Sequence, residues 1–130
     1  MSYKNTSWHY YDFGDKHCNF RSGWELNYAF YLEWLKQQAE IKDWEYEPER
    51  YHFYITEGNT KIRIGNGYLP DFRVTENNGK QYLVEIKGRE QGMAKLKKMK
   101  KHYPEIEVRL VGKSEYNTLK KQLGKMLNFV

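Results

Sequence analysis

Two strand-like segments around a tight-turn sequence are the feature that most restricts how this chain can fold. Residues 68–74 (YLPDFRV) and 81–87 (QYLVEIK) are rich in aromatic and β-branched residues, and the intervening TENNGK holds an Asn-Asn-Gly run that favours positive φ angles. The two segments should therefore pair as antiparallel strands. Because side chains alternate along a strand, Glu85 and Lys87 share one face, and Asp71 comes within about one residue of facing Glu85.

The rest of the sequence surrounds this hairpin with helices and further strands. Apolar residues at helical spacing predict helices within residues 21–40, 93–103 and 115–129, and strand composition marks residues 44–48, 50–56, 60–64 and 106–111. Residues 1–19 have no period and are expected to form an irregular, aromatic-rich arm. We therefore expect a single α/β domain over residues 1–130. Its central mixed sheet should be mainly an antiparallel meander plus one added strand, flanked by helices.

Charge and cysteine content narrow the classes of function. The sequence holds 22 Lys+Arg against 17 Asp+Glu, a net charge of +5, which favours an anionic partner such as nucleic acid. Cys18 is the only cysteine and the four histidines are scattered, so a disulfide framework and a structural zinc site are not expected. No apolar run approaches the roughly 20 residues that span a bilayer, and the first residues lack a signal-peptide core. We expect a soluble, intracellular protein without a membrane partner.

The carboxylates of Asp71 and Glu85 suggest a metal site. Two neighbouring carboxylates repel, which favours binding of a divalent cation, and their hard oxygens suit Mg²⁺, with Mn²⁺ able to substitute. Lys87 would then orient an attacking water or stabilise charge in the transition state, as phosphodiester hydrolysis requires. The alternative is a solvated strand face, since the same Glu-x-Lys pattern occurs at residues 40–42. The facing position of Asp71 favours the metal site.

Glu25 is a further candidate with a structural explanation of its own. Ser22 and Glu25 are spaced as a capping box, in which each side chain satisfies a backbone amide at the start of a helix. Spacing alone therefore favours capping. A carboxylate on a first helical turn can also reach a neighbouring metal site, and the two roles are compatible.

Several of these segments together resemble a known pattern. The segments FRSGWE, WEYEP, YLPDFRV, YLVEIKG and KKMKKHYPEIEVRLV, which span roughly residues 20–111, resemble the PD-(D/E)XK nuclease superfamily, and most of all the phage endonuclease I family of Holliday junction-resolving enzymes. The resemblance implies a restriction-endonuclease-like core and a catalytic set of Glu25, Asp71, Glu85 and Lys87, with the three carboxylates as metal ligands. It also implies a homodimer acting on branched DNA, in the cytoplasm of a bacterial host if the chain is phage-encoded. The long stretch at 51–67 departs from the pattern.

Basic residues near these segments are the candidates for DNA contact. They lie just before the first helix, beyond the second hairpin strand and along the basic helix: Arg21, Arg89, Lys95, Lys97, Lys98 and Lys101. The alternative is that the lysines only solubilise an amphipathic helix. The resulting hypothesis is a divalent-metal-dependent DNA endonuclease, selective for branched DNA. The alternatives are a site-selective nicking or homing endonuclease of the same fold, and a catalytically silent DNA-binding module.

Overall fold

A computed structural model describes residues 8–86 and 93–130 of the chain and shows a mixed α/β protein. Its elements, in chain order, are β1 (His9–Asp12), β2 (His17–Phe20), α1 (Gly23–Gln37), β3 (Asp43–Tyr46), β4 (Tyr51–Glu57), β5 (Thr60–Tyr68), β6 (Phe72–Thr75), β7 (Gln81–Ile86), α2 (Met93–His102), β8 (Val108–Val111) and α3 (Lys113–Leu123).

The central sheet has the order β3-β6-β7-β8. Strands β3, β6 and β7 pair antiparallel, and β8 adds to β7 in parallel. This confirms the expected mixed sheet with one added strand. The antiparallel part is not the expected continuous meander, because β4 and β5 leave the sheet between β3 and β6 and form a two-stranded sheet of their own. The predicted central hairpin is confirmed as well, with Phe72 opposite Val84 and a turn over the Asn-Asn-Gly run.

The sheet buries apolar side chains on both of its faces. Helix α1 covers one face and forms the main core, in which Leu32, Trp44, Phe72 and Val84 are at most 1% exposed. On the opposite face a small core combines the β4–β5 hairpin with α2 and β7, through Phe53, Tyr68, Leu83 and Met99. Alternate residues of β7 therefore point into different cores, as the period of a strand requires.

Helix α1 begins where the capping-box sequence predicts. The Ser22 side chain accepts a hydrogen bond from the backbone N–H of Glu25, at 3.2 Å, and satisfies one of the amides that have no partner inside the helix. The cap fixes the helix start, and with it the position of the Glu25 carboxylate on the first turn.

The amino-terminal region is more regular than predicted. Residues 9–12 and 17–20 form the antiparallel hairpin β1–β2, so the expectation of an irregular arm is wrong for them. The turn between them is held by Asp12, whose side chain accepts a 2.7 Å hydrogen bond from the Gly14 N–H. Phe13 packs edge-on against Trp44, with 5.1 Å between ring centroids, which docks the turn onto the main core.

The β4–β5 hairpin carries a pronounced bulge near its base. Tyr51 pairs with Tyr68 but Phe53 pairs with Ile64, so residues 65–67 lie opposite a single residue of β4. Gly67 has φ +74°, and a Cβ there would lie 2.4 Å from the carbonyl oxygen of Tyr51. Only glycine permits this approach, so the bulge is built into the sequence.

Across residues 8–86 and 93–130, no helix combines the length and the apolar character that a membrane crossing requires.

Candidate functional site

Asp71 and Glu85 meet at one end of the central hairpin. The backbone N–H of Ile86 donates to Asp71 Oδ2 at 2.7 Å, which brings the Asp71 carboxylate against β7 beside Glu85. Continuing the β6–β7 register by one residue beyond Phe72 and Val84 sets Asp71 opposite Glu85. The backbone thus places the two carboxylates as the sequence pattern predicts.

Glu85 is a buried carboxylate with a defined orientation. Its side chain is on the face of β7 that carries Leu83, and the residue is only 5% exposed. The hydroxyl of Tyr68, itself 3% exposed, donates to Glu85 Oε1 at 2.8 Å. Burial raises the pKa of Tyr68, and the negative charges of Glu85 and Asp71 raise it further, so the phenol stays protonated and remains a donor.

Glu25 approaches the same end of the sheet from α1. Its carboxylate accepts hydrogen bonds from the Tyr46 hydroxyl at 2.5 Å and from the Ser22 hydroxyl at 3.2 Å. Burial raises the pKa of Glu25, and the two hydrogen bonds oppose that rise. One half of the predicted capping box is confirmed, the hydrogen bond from the Glu25 N–H to Ser22 Oγ. The Glu25 carboxylate accepts from the Ser22 hydroxyl where the box would have it accept from the Ser22 backbone amide, and it is held at the end of β3.

The link between Glu25 and Asp71 runs through β3. Tyr46, the hydrogen-bond partner of Glu25, pairs with Phe72, and the next residue, Glu47, donates its N–H to the Asp71 carbonyl oxygen at 2.8 Å. Within the described parts of the chain, however, no three His, Cys, Asp or Glu side chains are grouped closely enough to hold a metal ion. Glu25 therefore lies next to the segment that bears Asp71, but the carboxylates of Glu25, Asp71 and Glu85 do not form one three-ligand cluster.

The donor chemistry of the pair fits a magnesium-type ion. Carboxylate oxygens are hard ligands, and Mg²⁺ is usually bound by one or two carboxylates, with water and phosphate oxygens as the remaining ligands. Asp71 and Glu85 would supply two such ligands from a rigid hairpin. Lys87, the predicted assistant of the nucleophilic water, lies outside the described residues.

The predicted DNA-contact residues differ in their hydrogen-bond partners and in their exposure. Arg21 donates through Nε to Glu47 Oε2 at 2.9 Å, and this bond raises the Arg21 pKa. Lys95 donates through Nζ to the Gly67 carbonyl oxygen at 2.9 Å, which directs it toward the bulge of β5. The other described members are exposed on α2: Lys97, Lys98 and Lys101. Arg89 lies outside the described residues.

Two tyrosines at the site were not assigned a role from sequence. Tyr46 holds Glu25, and Tyr68 holds Glu85. The signal for each was weak, because a tyrosine near the end of a predicted strand is more often a core residue than a carboxylate partner.

Comparison with known proteins identifies the chain at the family level alone. Residues 14–120 match the model of a family described as "Protein of unknown function (DUF1064)". No curated protein and no solved structure matches the chain.

Proposed function

This chain belongs to the DUF1064 family of proteins of unknown function, and we propose that it is a divalent-metal-dependent DNA endonuclease that hydrolyses phosphodiester bonds. One observation carries the proposal. Asp71 and Glu85 occupy facing positions at the end of the central hairpin, and Glu85 is a buried carboxylate oriented by a tyrosine. Burying ionised groups is costly, so such an arrangement favours a function that needs it.

The architecture is consistent with a restriction-endonuclease-like core. A mixed sheet lies between α1 on one face and α2 on the other, and the carboxylates lie at the end of its central hairpin. The sequence resemblance to PD-(D/E)XK nucleases points to the same core. We propose this fold family. The resemblance would make Glu25 a third metal ligand, which requires its carboxylate to move from its position against Tyr46 and Ser22 toward Asp71.

The residues of the chain would share the chemistry as follows. Asp71 and Glu85 would hold a Mg²⁺ ion, which would supply Lewis-acid polarisation of a phosphoryl oxygen and a more acidic water. Tyr68 keeps Glu85 in the orientation that binding needs, because its hydroxyl fixes one of the two carboxylate oxygens. Lys87 orients the attacking water and stabilises negative charge as it develops.

Branched DNA is the proposed substrate and a homodimer the proposed active form, both from the resemblance to junction-resolving enzymes. The net charge of +5 and the exposed lysines of α2 support a polyanionic partner. Selectivity for DNA structure predicts that a four-way junction is cut well and its constituent duplexes poorly.

The test compares cleavage of a labelled four-way junction with cleavage of a matched linear duplex, in Mg²⁺, in Mn²⁺ and in EDTA. Asp71→Asn and Glu85→Gln should each lower the cleavage rate by about 10²-fold or more while DNA binding remains, because each removes a metal-binding charge. Glu105→Gln, which neutralises an exposed carboxylate on the loop after α2, serves as the charge-matched control and should cut like the wild type.

The outcomes separate the alternatives. Equal cutting of junction and duplex would refute junction selectivity, and cuts at one sequence of the duplex would identify a site-selective enzyme. DNA binding without cleavage in either metal would refute the nuclease assignment and leave a DNA-binding module.

A further inference from the structure

We propose that a cleft between the β4–β5 hairpin and α2 binds a backbone phosphate of the DNA substrate, beside the phosphodiester that is cut. The inference rests on the proposed nuclease function and adds Arg50 and Arg63, which the sequence did not predict as DNA contacts, to the predicted contact of Lys95. The cleft has a volume of about 490 Å³ and is lined by Arg50, His52, Arg63, Gly65, Asn66 and Lys95.

The described residues do not balance the charge of the cleft. Three of the six lining residues are cationic and none is acidic. Arg50, Arg63 and Lys95 form no ion pair with any acidic residue that the structure describes, whereas Arg73 and Arg109 are paired with glutamates. Like charges gathered without a counter-charge repel, and a bound anion removes that repulsion.

The bulge of β5 gathers these cations. Arg50 donates through one guanidinium nitrogen to the Asn66 carbonyl oxygen at 3.0 Å, and Lys95 donates to the Gly67 carbonyl oxygen at 2.9 Å. Each bond uses one donor, and a guanidinium has five while an ammonium has three. Both side chains are therefore anchored to the bulge and keep donors for a ligand.

His52 gives an independent sign of a missing partner. It lines the same cleft, and its Nδ1 is buried without a hydrogen-bond partner among the described residues. Buried polar atoms are nearly always paired, by protein or by a ligand or water. If the His52 ring turned toward the cleft, a phosphate oxygen or a water of its hydration shell would satisfy this nitrogen.

The position of the cleft identifies the phosphate as part of a nucleic acid strand. Gly67, which accepts the hydrogen bond of Lys95, directly precedes Tyr68, whose hydroxyl binds Glu85. A DNA strand carries one phosphate per nucleotide, about 3.4 Å apart along the axis, so a strand bound at the carboxylates continues past the bulge with further phosphates. This gives a role to the 51–67 stretch, which departs from the pattern of the resembled nucleases.

The test measures binding of a labelled four-way junction by fluorescence anisotropy in EDTA, from 50 to 200 mM NaCl. The variant Arg50→Gln/Arg63→Gln should bind about 10-fold more weakly or worse, and the slope of log K against log salt should fall by about two, one for each lost contact. Lys121→Gln/Lys125→Gln removes the same charge from exposed positions in and after α3 and should keep the wild-type slope. Both arginines are exposed and Arg50 loses one hydrogen bond, so the thermal midpoint should shift only slightly in the arginine variant and should be unchanged in the control.

A slope and affinity equal to those of the control variant would overturn the inference. The two proposals fail in different ways. If the wild type cuts DNA and the arginine variant binds and cuts as the control does, the phosphate cleft alone is refuted. If the wild type never cuts but the arginine variant still loses affinity, the nuclease assignment is refuted and the cleft remains a nucleic acid contact.

Discussion

Replacing Tyr68 with phenylalanine tests whether its hydroxyl holds Glu85 in place. The substitution removes one oxygen from a residue that is 3% exposed and leaves the ring in the small core. It removes the hydrogen-bond donor that lies 2.8 Å from Glu85 Oε1. Because Glu85 itself is only 5% exposed, water has little access to replace that donor.

The expected loss of stability follows from the type of bond. A hydrogen bond to a charged group contributes about 1.5–3 kcal/mol. The ring is retained, so the substitution opens no cavity larger than one oxygen atom. We therefore expect Tyr68→Phe to lower the free energy of unfolding by about 2 kcal/mol, the contribution of the hydrogen bond alone. With a urea m-value of about 2 kcal/mol/M, the unfolding midpoint should fall by about 1 M.

The assay is urea unfolding followed by tryptophan fluorescence, with Tyr54→Phe as the control. Tyr54 is on β4 of the same hairpin, is only partly buried, and its hydroxyl makes no hydrogen bond to another described residue. The control should change the midpoint by less than about 0.3 M, as surface substitutions do. Equal midpoints for Tyr68→Phe and Tyr54→Phe would refute the role given to the hydroxyl.

The same substitution has a second readout at the proposed metal site. A group that orients a metal ligand typically contributes 10- to 100-fold to metal affinity or activity. Tyr68→Phe should therefore raise the Mg²⁺ concentration needed for half-maximal cleavage by about that factor, while Tyr54→Phe leaves it unchanged. A wild-type magnesium requirement in Tyr68→Phe would limit the tyrosine to a role in stability.

Two further predictions concern the backbone and an ion pair. Gly67→Ala should destabilise the protein by more than Gly65→Ala, because both positions have positive φ but only at Gly67 would a Cβ clash with backbone; equal thermal midpoints would contradict this. Lys16→Met should cost about 0.5–1 kcal/mol at pH 7, where Lys16 Nζ is 2.8 Å from Asp43. Burial opposes ionisation of Asp43, but hydrogen bonds from Lys16 and the Trp44 N–H outweigh it and lower its pKa below 3.8. The stabilisation is therefore present above pH 3.8 and lost as the pH falls through the lowered pKa, so urea midpoints of variant and wild type should converge as the pH is lowered; a constant difference would contradict the pair.

Local signals in the sequence were sufficient for the element order from α1 onward and for the geometry of the central hairpin. Three of these signals act within a few residues and therefore do not depend on tertiary contacts: the cap at Ser22, the Asn-Asn-Gly turn and the period-two pattern of β7. They also suffice to place Asp71 beside β7 at Glu85. The predicted strand at 68–74 was too long at its start, because Pro70 donates no backbone hydrogen bond and Tyr68 belongs to β5.

The features that sequence did not predict depend on contacts between distant residues. The β1–β2 hairpin is stabilised by Phe13 on Trp44, which lies 31 positions later and gives no local signal. The partnership of Tyr68 with Glu85 and the cleft around Arg50 and Arg63 depend on how the β4–β5 hairpin docks. Docking is set by the bulge at Gly67, whose length and direction a composition pattern does not reveal.

The division of the apolar residues into two cores gives the β4–β5 hairpin a local unfolding equilibrium of its own. The apolar contacts of the hairpin with the rest of the protein lie in the small core of Phe53, Tyr68, Leu83 and Met99, while the main core lies on the other face of the sheet. Single hydrogen bonds, such as the one from the Tyr103 hydroxyl to the His52 carbonyl oxygen, add to this attachment. Cooperative units with fewer buried contacts open at lower free energy than the whole molecule. Amide hydrogens of the hairpin should therefore exchange with solvent before those of β6 and β7, and DNA bound in the cleft would slow that exchange selectively.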